Sequence, residues 1–321
     1  MSPSSVTAPR SLSPNPFLAT GGQRLGCWPV GKFTLAAATA LTSIFTGVGA
    51  PVATADIDVA PVGALPVPDG PAPAWIVADM DSGQILAGRD QYVTHAPAST
   101  IKTLLALVVL DELPLDATVV ADEHDTAVEC NCAGVRAGQT YTTEQLLDGL
   151  LLVSGNDAAN TLAHMLGGTD AAVAKMNAKA ASLGATATRA GSPSGLNGPG
   201  IDGYTTPHDL AVIFRAALAH PEFAAITGSR TAPFPGKDGP VTLVNQNEML
   251  DRYPGMLGGK TGFTDVARKT YVGAAQRDGR RLVVAMMFGL VKEGGPTYWD
   301  QATRLLDWGF AQDRSESVGA L

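Results

Sequence analysis

Ser99 and Lys102 form the first pair of residues whose types and spacing could do chemistry. Pro97 opens an apolar-periodic run that predicts a helix from Ser99 to Leu110, and residues three apart on a helix share one face. A serine hydroxyl is a weak nucleophile until a base activates it, and a lysine amine can do so once burial or a nearby cation lowers its pKa from about 10.4. The pair therefore predicts a nucleophilic serine with a lysine base, at a helix start where a free N–H could stabilise an oxyanion.

Two further short motifs carry polar groups suited to binding a substrate. Ser154-Gly155-Asn156 lies between two predicted helices, where a hydroxyl and an amide could relay a proton and hold a substrate amide. These residues also suit a helix N-cap, and the pattern recurs at Ser13-Pro14-Asn15. Lys260-Thr261-Gly262 places a cation and a hydroxyl beside a glycine, which suits an anionic group close to a strand edge. A simple turn before a strand would have the same pattern.

In this order, the three motifs resemble the set found in penicillin-binding proteins and serine β-lactamases. The flanking residues are similar to those of the low-molecular-mass, serine-type D-alanyl-D-alanine carboxypeptidases of the peptidase S11 type. The likeness extends over about residues 70–312. The stretches that carry it are residues 97–103, 152–158, 194–196, 245–247 and 259–264.

The resemblance implies catalytic roles for four side chains. Ser99 would be the nucleophile that becomes acylated, and Lys102 would be its general base. Ser154 would relay a proton to the leaving D-alanine, and Asn156 would contact the substrate backbone. The implied reaction removes the terminal D-alanine from peptidoglycan stem pentapeptides in cell-wall biosynthesis. The stem peptide is the implied partner and β-lactam antibiotics the implied inhibitors, with no cofactor, metal or nucleic acid.

The third motif is implied to bind the substrate. Lys260 would keep the catalytic lysine neutral through its positive field, Thr261 would bind the terminal carboxylate, and Gly262 would allow a close approach. The N–H groups of the nucleophile and of Phe263 would form the oxyanion hole. Relatives often add an arginine after the last long strand to hold the carboxylate. Leu290-Val291-Lys292 stands there in this chain, and its lysine is the candidate replacement.

Two alternatives are weighed against the carboxypeptidase interpretation. A class A β-lactamase deacylates with a glutamate between the second and third motifs, and no glutamate occurs from Asp157 through Pro221. Glu222 and Glu248 come too late to resemble that loop. The other alternative is a non-catalytic wall-binding protein on the same fold, since a fold alone does not prove activity. Such a protein would not need a lysine beside the serine.

The elements that position these motifs follow from hydrophobic patterning. Strands at 74–79 and 84–88 flank the turn at Asp81-Ser82-Gly83, and strands at 269–276 and 281–288 flank Asp278-Gly279. Between the two strand pairs, the pattern predicts helices at about 99–110, 142–152, 157–167, 169–185 and 206–218. A last helix is predicted at about 298–310, after the second strand pair. We therefore predict an α/β (α+β) fold with a central antiparallel sheet, flanking helices and an inserted helical lobe. This order is β-lactamase/transpeptidase-like.

Residues 1–55 predict an exported protein. They contain three basic residues and no acidic one, followed by an apolar run and the A-x-A exit Ala53-Thr54-Ala55. We predict a cleaved signal peptide and a location in the extracytoplasmic cell-wall space, whereas an uncleaved segment would tether the protein to the membrane. No C-terminal membrane anchor is predicted. The rest of the chain divides into a Pro/Ala-rich linker at 56–73, the D,D-carboxypeptidase domain at 74–312 and a short polar tail at 313–321.

Charge and cysteine content narrow the classes of partner. The net charge is −8, and removing the three basic residues of the leader makes it −11, which argues against nucleic acid or anionic lipid as a partner. Cys130 and Cys132 are the cysteines left after cleavage. They could form a local disulfide or remain two free thiols. With His124 and Glu129 nearby, a zinc site is conceivable, but the spacing fits no standard pattern and we predict no metal.

Overall fold

In the computed structural model, residues 58–290 and 294–321 are described. The strands are β1 Ala74–Asp79, β2 Gln84–Arg89, β3 Thr118–Val120, β4 Thr140–Thr142, β5 Thr231–Pro235, β6 Pro240–Val244, β7 Met256–Thr264, β8 Arg268–Arg277, β9 Arg280–Gly289 and β10 Gly319–Ala320. The helices are α1 Lys102–Glu112, α2 Glu123–Thr126, α3 Thr143–Leu151, α4 Asn156–Met165, α5 Thr169–Ser182, α6 Pro207–Ala217, α7 Pro221–Gly228, α8 Met249–Arg252 and α9 Tyr298–Ala311. The predicted signal peptide and Lys292 lie outside the described residues.

Six strands of the described residues form one antiparallel sheet in the order β10-β2-β1-β9-β8-β7. Because β1 pairs with β9, the sheet joins the two ends of the domain, as predicted. The β8–β9 hairpin turns at Asp278-Gly279, whose φ angles of +49° and +73° suit the two-residue turn that continues the strand twist. The edge strand β7 carries the third motif along one rim of the sheet.

Both faces of the sheet are covered by helices. On β1, Ile76 and Ala78 belong to the core that the sheet shares with the helical lobe, while Trp75 and Val77 belong to the core that contains α9. This alternation follows from the two-residue period of a strand. The predicted sheet with flanking helices is therefore confirmed.

The inserted helical lobe surrounds α1. Every residue of α1 from Lys102 to Val109 is buried, because α3, α4, α5 and α6 all pack against this helix. The start of α3 is fixed by a capping box, in which Gln145 N–H donates to Thr142 Oγ1 at 3.2 Å and Thr142 N–H donates to Gln145 Oε1 at 3.0 Å. This helix start was predicted from the sequence.

Two local features differ from the sequence predictions. The helix predicted from Ser99 begins as a 3₁₀ turn, Ala98–Ile101, and only becomes α-helical at Lys102. The strand β7 was not predicted, and the Lys260-Thr261-Gly262 motif lies inside this edge strand, which fits the strand-edge interpretation and not the alternative of a simple turn. Glycines weaken the hydrophobic alternation that marks a strand, which is why the pattern did not reveal β7.

The segments predicted as linker and tail both contact the domain. Arg89 Nε donates to Asp58 Oδ1 at 2.7 Å, and Trp308 Nε1 donates to the carbonyl oxygen of Leu65 at 2.9 Å. In the tail, Gly319–Ala320 pairs with β2. These contacts attach residues before and after the predicted domain to the sheet and to α9.

Within the described ranges, no individual helix has the length and apolar character needed to cross a membrane. The helices α6 and α7 meet these criteria only when taken together, and they are bent by 107° at the break between them.

Candidate active site

The 3₁₀ turn and the first residue of α1 bring the first motif together. Lys102 Nζ lies 2.7 Å from Ser99 Oγ, so the predicted i, i+3 contact forms. Lys102 is fully buried, whereas Ser99 is half-buried and lines the main cavity of the described chain. Ala98 precedes the serine with a φ of +48°, a conformation that is uncommon for a residue with a side chain. A hydroxyl that reaches the cavity beside a buried amine is the arrangement that a nucleophile and its base require.

The second motif lies where α3 ends and α4 begins. Asn156, the first residue of α4, accepts a hydrogen bond from Lys102 Nζ on its Oδ1 at 2.7 Å. Its Nδ2 donates to the carbonyl oxygen of Glu129 at 2.7 Å. Ser154 has a φ of +61°, another uncommon backbone conformation. The amide of Asn156 is therefore oriented from both ends, and it links the first and second motifs directly.

Lys260 connects the third motif to the second. Its side chain is buried, and Nζ donates to Ser154 Oγ at 2.8 Å and to the carbonyl oxygen of Thr261 at 2.8 Å. The side-chain hydrogen bonds thus form two groups, Ser99–Lys102–Asn156 and Ser154–Lys260, and the backbone of the second motif joins them. The N-cap interpretation of Ser154-Gly155-Asn156 is not supported, because α4 has no side-chain hydrogen bond at its cap.

Burial controls the electrostatics of both lysines. The pKa of Lys102 is held well below its usual range, first by burial and then by the positive charge of Lys260, while Asp157 opposes the shift. Burial lowers the pKa of Lys260 to about 7. A neutral lysine at position 102 has a free lone pair, so it can accept the proton of the serine hydroxyl.

Gly262 allows β7 to approach the nucleophile. A Cβ atom at this position would lie 2.9 Å from the backbone nitrogen of Ser99 and 2.3 Å from Thr270 Oγ1. A larger residue would therefore displace β7 from the serine. The next residue, Phe263, has 51% of its surface exposed and lines the same cavity, which has a volume of about 600 Å³. The structure brings all eight predicted site residues together around Ser99: Ser99, Lys102, Ser154, Asn156, Lys260, Thr261, Gly262 and Phe263.

Lys269 was not singled out from the sequence. It lies on β8 directly opposite Phe263 on β7 and opposite Gly289 on β9. Its Nζ is 4.8 Å from the centre of the Phe263 ring, and it lines the cavity. Among the described residues, no carboxylate forms an ion pair with it. The register of two strands creates this position, so a local sequence pattern could not have revealed it.

From the sequence, the segment from Glu129 to Ala133 was interpreted as a local disulfide or two free thiols, with a zinc site as a disfavoured alternative, and not as part of the active site. Cys130 and Cys132 form a disulfide, so their sulfur atoms are not free as metal ligands. Glu129, Cys130 and Asn131 line the cavity on the side of the second motif. The C-x-C spacing in the sequence indicated a local disulfide. It could not indicate that this disulfide lies beside the nucleophile, because that position depends on tertiary packing.

A different group of possible metal ligands lies in the helical lobe. Asp122, Asp125 and His164 place ligand atoms within 4.8 Å of one another. The two carboxylates already form the capping box of α2, and Asp125 Oδ2 lies 3.1 Å from His164 Nδ1. These contacts give the three residues a structural role: the two carboxylates cap the start of α2, and His164 on α4 contacts one of them.

Comparisons with known proteins agree on one family. A family model described as D-alanyl-D-alanine carboxypeptidase matches residues 63–289. The D-alanyl-D-alanine carboxypeptidase DacB2 of Mycobacterium tuberculosis (strain ATCC 25618 / H37Rv) is 69% identical over 267 residues, which cover 83% of this chain and 92% of that protein. The carboxypeptidase DacF of Bacillus subtilis (strain 168) is 28% identical over 250 residues, which cover 75% of this chain but 62% of DacF.

Solved structures show the same relationship. The crystal structure of a D-alanyl-D-alanine carboxypeptidase from Mycobacterium tuberculosis H37Rv has a TM-score of 0.81 and 69% identity, and the match covers 82% of this chain and all of that chain. The Streptomyces K15 DD-transpeptidase has a TM-score of 0.70 and 28% identity, with 77% of this chain and all of that chain covered. The fold is therefore the one shared by these DD-transpeptidases and carboxypeptidases.

Proposed function

The chain belongs to the peptidase S11 family of D-alanyl-D-alanine carboxypeptidases, and on this premise we propose that it acts through an acyl-enzyme formed on Ser99. It is a penicillin-binding-type serine hydrolase whose family acts on D-Ala-D-Ala peptides outside the cytoplasm and binds β-lactams. The observation that supports the proposed nucleophile most strongly is the 2.7 Å contact between Ser99 Oγ and the buried Lys102 Nζ. Its substrate would be the stem pentapeptide of peptidoglycan.

Acylation uses the buried lysine as the base. Ser99 Oγ attacks the carbonyl carbon of the last peptide bond, and its proton passes to Lys102. The C–N bond then breaks, and Ser154 relays the proton from Lys102 to the nitrogen of the departing D-alanine, taking up one proton as it gives one, so that Lys102 is neutral again. Lys260 supports this step because it contacts Ser154 at 2.8 Å and lowers the pKa of Lys102 by its charge. Water then hydrolyses the ester on Ser99 and restores the free serine.

The backbone around the nucleophile supplies the oxyanion hole. The N–H groups of Ser99 and Phe263 would donate to the carbonyl oxygen as it gains negative charge. The close approach of β7 at Gly262 supports this assignment, since it brings the two backbone segments together. Asn156 would contact the substrate backbone on the opposite side of the cavity.

The free carboxylate of the terminal D-alanine would bind beyond the third motif. Thr261 offers a hydroxyl, and Lys269 offers a cation that lines the same cavity and is held against the Phe263 ring. Lys269 therefore replaces Lys292 as our candidate for the cation that assists Thr261. An ammonium at this place would favour peptides that end in a free carboxylate.

Slow hydrolysis of β-lactams distinguishes this proposal from a β-lactamase. Glu248 lines the cavity, but it is bound to Arg252 at 2.7 Å and lies on the surface, so it is poorly placed as a buried deacylating base. With a peptide, D-alanine diffuses away and leaves a path for water to the ester. With penicillin, the opened ring stays attached and blocks that path.

A side-by-side assay tests the proposed function. The purified protein is expected to release D-alanine from a stem pentapeptide faster than it hydrolyses penicillin. Export with removal of residues 1–55 is part of the proposal, and the N-terminal sequence of the secreted protein checks it. Rapid hydrolysis of penicillin without release of D-alanine would instead support the β-lactamase alternative. Absence of both activities would support the non-catalytic wall-binding alternative.

A further inference from the structure

Residues 129–133, here named the CxC loop, form a dense set of hydrogen bonds with the second motif. The backbone N–H of Asn156 donates to the carbonyl oxygen of Asn131 at 2.7 Å, and the Asn156 side chain donates to the carbonyl oxygen of Glu129 at 2.7 Å. In the reverse direction, Asn131 Nδ2 donates to the carbonyl oxygens of Val153 at 3.0 Å and Ser154 at 3.3 Å. The CxC loop therefore contacts the backbone on both sides of the catalytic turn.

A second set of contacts fixes the end of the CxC loop. The carboxylate of Asp157 accepts hydrogen bonds from the N–H groups of Ala133 at 2.8 Å, Gly134 at 2.8 Å and Val135 at 2.9 Å. A Cβ atom at Gly155 would lie 3.0 Å from the backbone nitrogen of Ala133, so the two segments are in close contact. This packing supports the uncommon backbone of Ser154, whose φ is +61°.

The disulfide between Cys130 and Cys132 closes the CxC loop around Asn131. A short covalent ring restricts the backbone of the residue it encloses, and opening the ring would restore conformational freedom to the atoms that hold Asn156 and Ser154. Cys130 is exposed and lines the cavity, so a reductant can reach the bond. The loop contacts Asn156, whose Oδ1 is also the acceptor for Lys102 Nζ.

We infer that the Cys130–Cys132 disulfide is a positioning element for Ser154 and Asn156, and that its reduction by a dithiol slows acylation of Ser99. This inference rests on the proposed acyl-enzyme function. In the reduction, the S–S bond of the protein and the two S–H bonds of the dithiol break. Two protein thiols form, and the dithiol closes to a cyclic disulfide, so two electrons and two protons pass to the protein. Reoxidation reverses the change.

The test compares penicillin acylation of the full chain before and after treatment with dithiothreitol. Because a misplacement of about 1 Å can cost about 10²-fold in rate, we expect the acylation rate to fall about tenfold or more on reduction and to recover on reoxidation. Loosening the turn also admits water to Lys102, whose pKa then rises. The acid limb of the pH–rate profile is therefore expected to move to higher pH, which a purely structural role would not produce.

Two variants serve as controls. The double variant Cys130→Ser/Cys132→Ser cannot form the disulfide, so it should acylate as slowly as the reduced protein and should not respond to dithiothreitol. Asn131→Ala removes the side-chain bonds to the turn but keeps the disulfide, and its rate should also fall. A thermal melt on each sample reports whether the protein stays folded.

The outcomes separate this inference from the proposed function. An oxidised protein that does not acylate at all contradicts both. An oxidised protein that acylates normally, and continues to do so when reduced or when both cysteines are serine, contradicts the positioning role alone. A rate loss that parallels loss of folded protein in the melts also contradicts it.

Discussion

Lys260 Nζ donates a hydrogen bond to Ser154 Oγ at 2.8 Å, although 106 residues separate the two in the chain. The contact joins the edge strand β7 to the turn between α3 and α4. One lysine thus contributes both a hydrogen bond to the proposed proton relay and a positive charge that acts on Lys102. The placement of β7 against the helical lobe therefore affects the reactivity of Ser99, although Ser99 lies on another element.

Removal of the Lys260 charge is expected to change the pH dependence of acylation. Its charge lowers the pKa of Lys102, so in Lys260→Ala that pKa rises and the neutral base forms only at higher pH. The acid limb of the profile should move to higher pH, and the rate near pH 7 should fall by about 10²-fold or more. The measurement is the penicillin acylation rate across pH. As a control, Lys260→Arg keeps the charge, so the acid limb of the pH–rate profile should stay near its original position. An unmoved acid limb in Lys260→Ala would contradict the assigned effect of the Lys260 charge on the pKa of Lys102.

The close approach at Gly262 can be tested with a single methyl group. In Gly262→Ala the new Cβ would meet the Ser99 nitrogen at 2.9 Å, so β7 must shift and the oxyanion hole widens. We expect the acylation rate to fall about tenfold or more, since one oxyanion donor is typically worth about 10²–10³-fold. Gly198→Ala is the matched control, because its nearest contact would be an ordinary 3.5 Å from Ile201. Equal acylation rates in the two variants would contradict the claim that a glycine is required at position 262 for the approach of β7 to Ser99.

Much of the first motif was predictable because its geometry is local. The i, i+3 spacing of Ser99 and Lys102 brings their side chains together in any helical turn, and the turn at Asp278-Gly279 likewise depends on adjacent residues. The strand that carries Lys260 was not predicted, since its glycines hide the alternation of a strand.

Contacts that depend on strand register or on tertiary packing could not be predicted. Lys269 meets Phe263 only because β8 pairs with β7 in one register. Asn131 meets Asn156 only when α4 packs beside the CxC loop. No local pattern in the sequence encodes either distance.

The role of Lys269 predicts a specific loss of affinity. In Lys269→Ala, a stem pentapeptide with a free carboxylate should show a higher KM, by about tenfold for loss of one charged hydrogen bond of about 1.5 kcal/mol. A peptide amidated at its C-terminus lacks the charge, so its KM should barely differ between the two proteins. Steady-state release of D-alanine or its amide provides the measurement. Equal effects on both peptides would show that Lys269 does not bind the carboxylate.

A stability prediction concerns the buried ion pair between Arg280 and Asp79. Arg280 Nε donates to Asp79 Oδ2 at 2.8 Å, and both side chains are buried. Arg280→Met would leave the carboxylate buried without its partner, and we expect the free energy of unfolding to fall by about 3 kcal/mol. Arg281→Met removes the exposed pair with Asp81 next to it and should cost less than about 1 kcal/mol. Urea unfolding of both variants tests the difference, and similar losses would contradict it.

The most direct test of the central claim is to locate the covalent adduct after incubation with penicillin. Intact-mass measurement followed by peptide mapping should find a single adduct on Ser99, because this serine is partly exposed to the cavity and its Oγ lies 2.7 Å from the buried amine of Lys102, three residues later in the chain. Ser99→Ala should form no adduct, and Lys102→Ala should form it about 10²–10⁴-fold more slowly. An adduct on another residue, an undiminished adduct in Ser99→Ala, or a normal rate in Lys102→Ala would contradict the account.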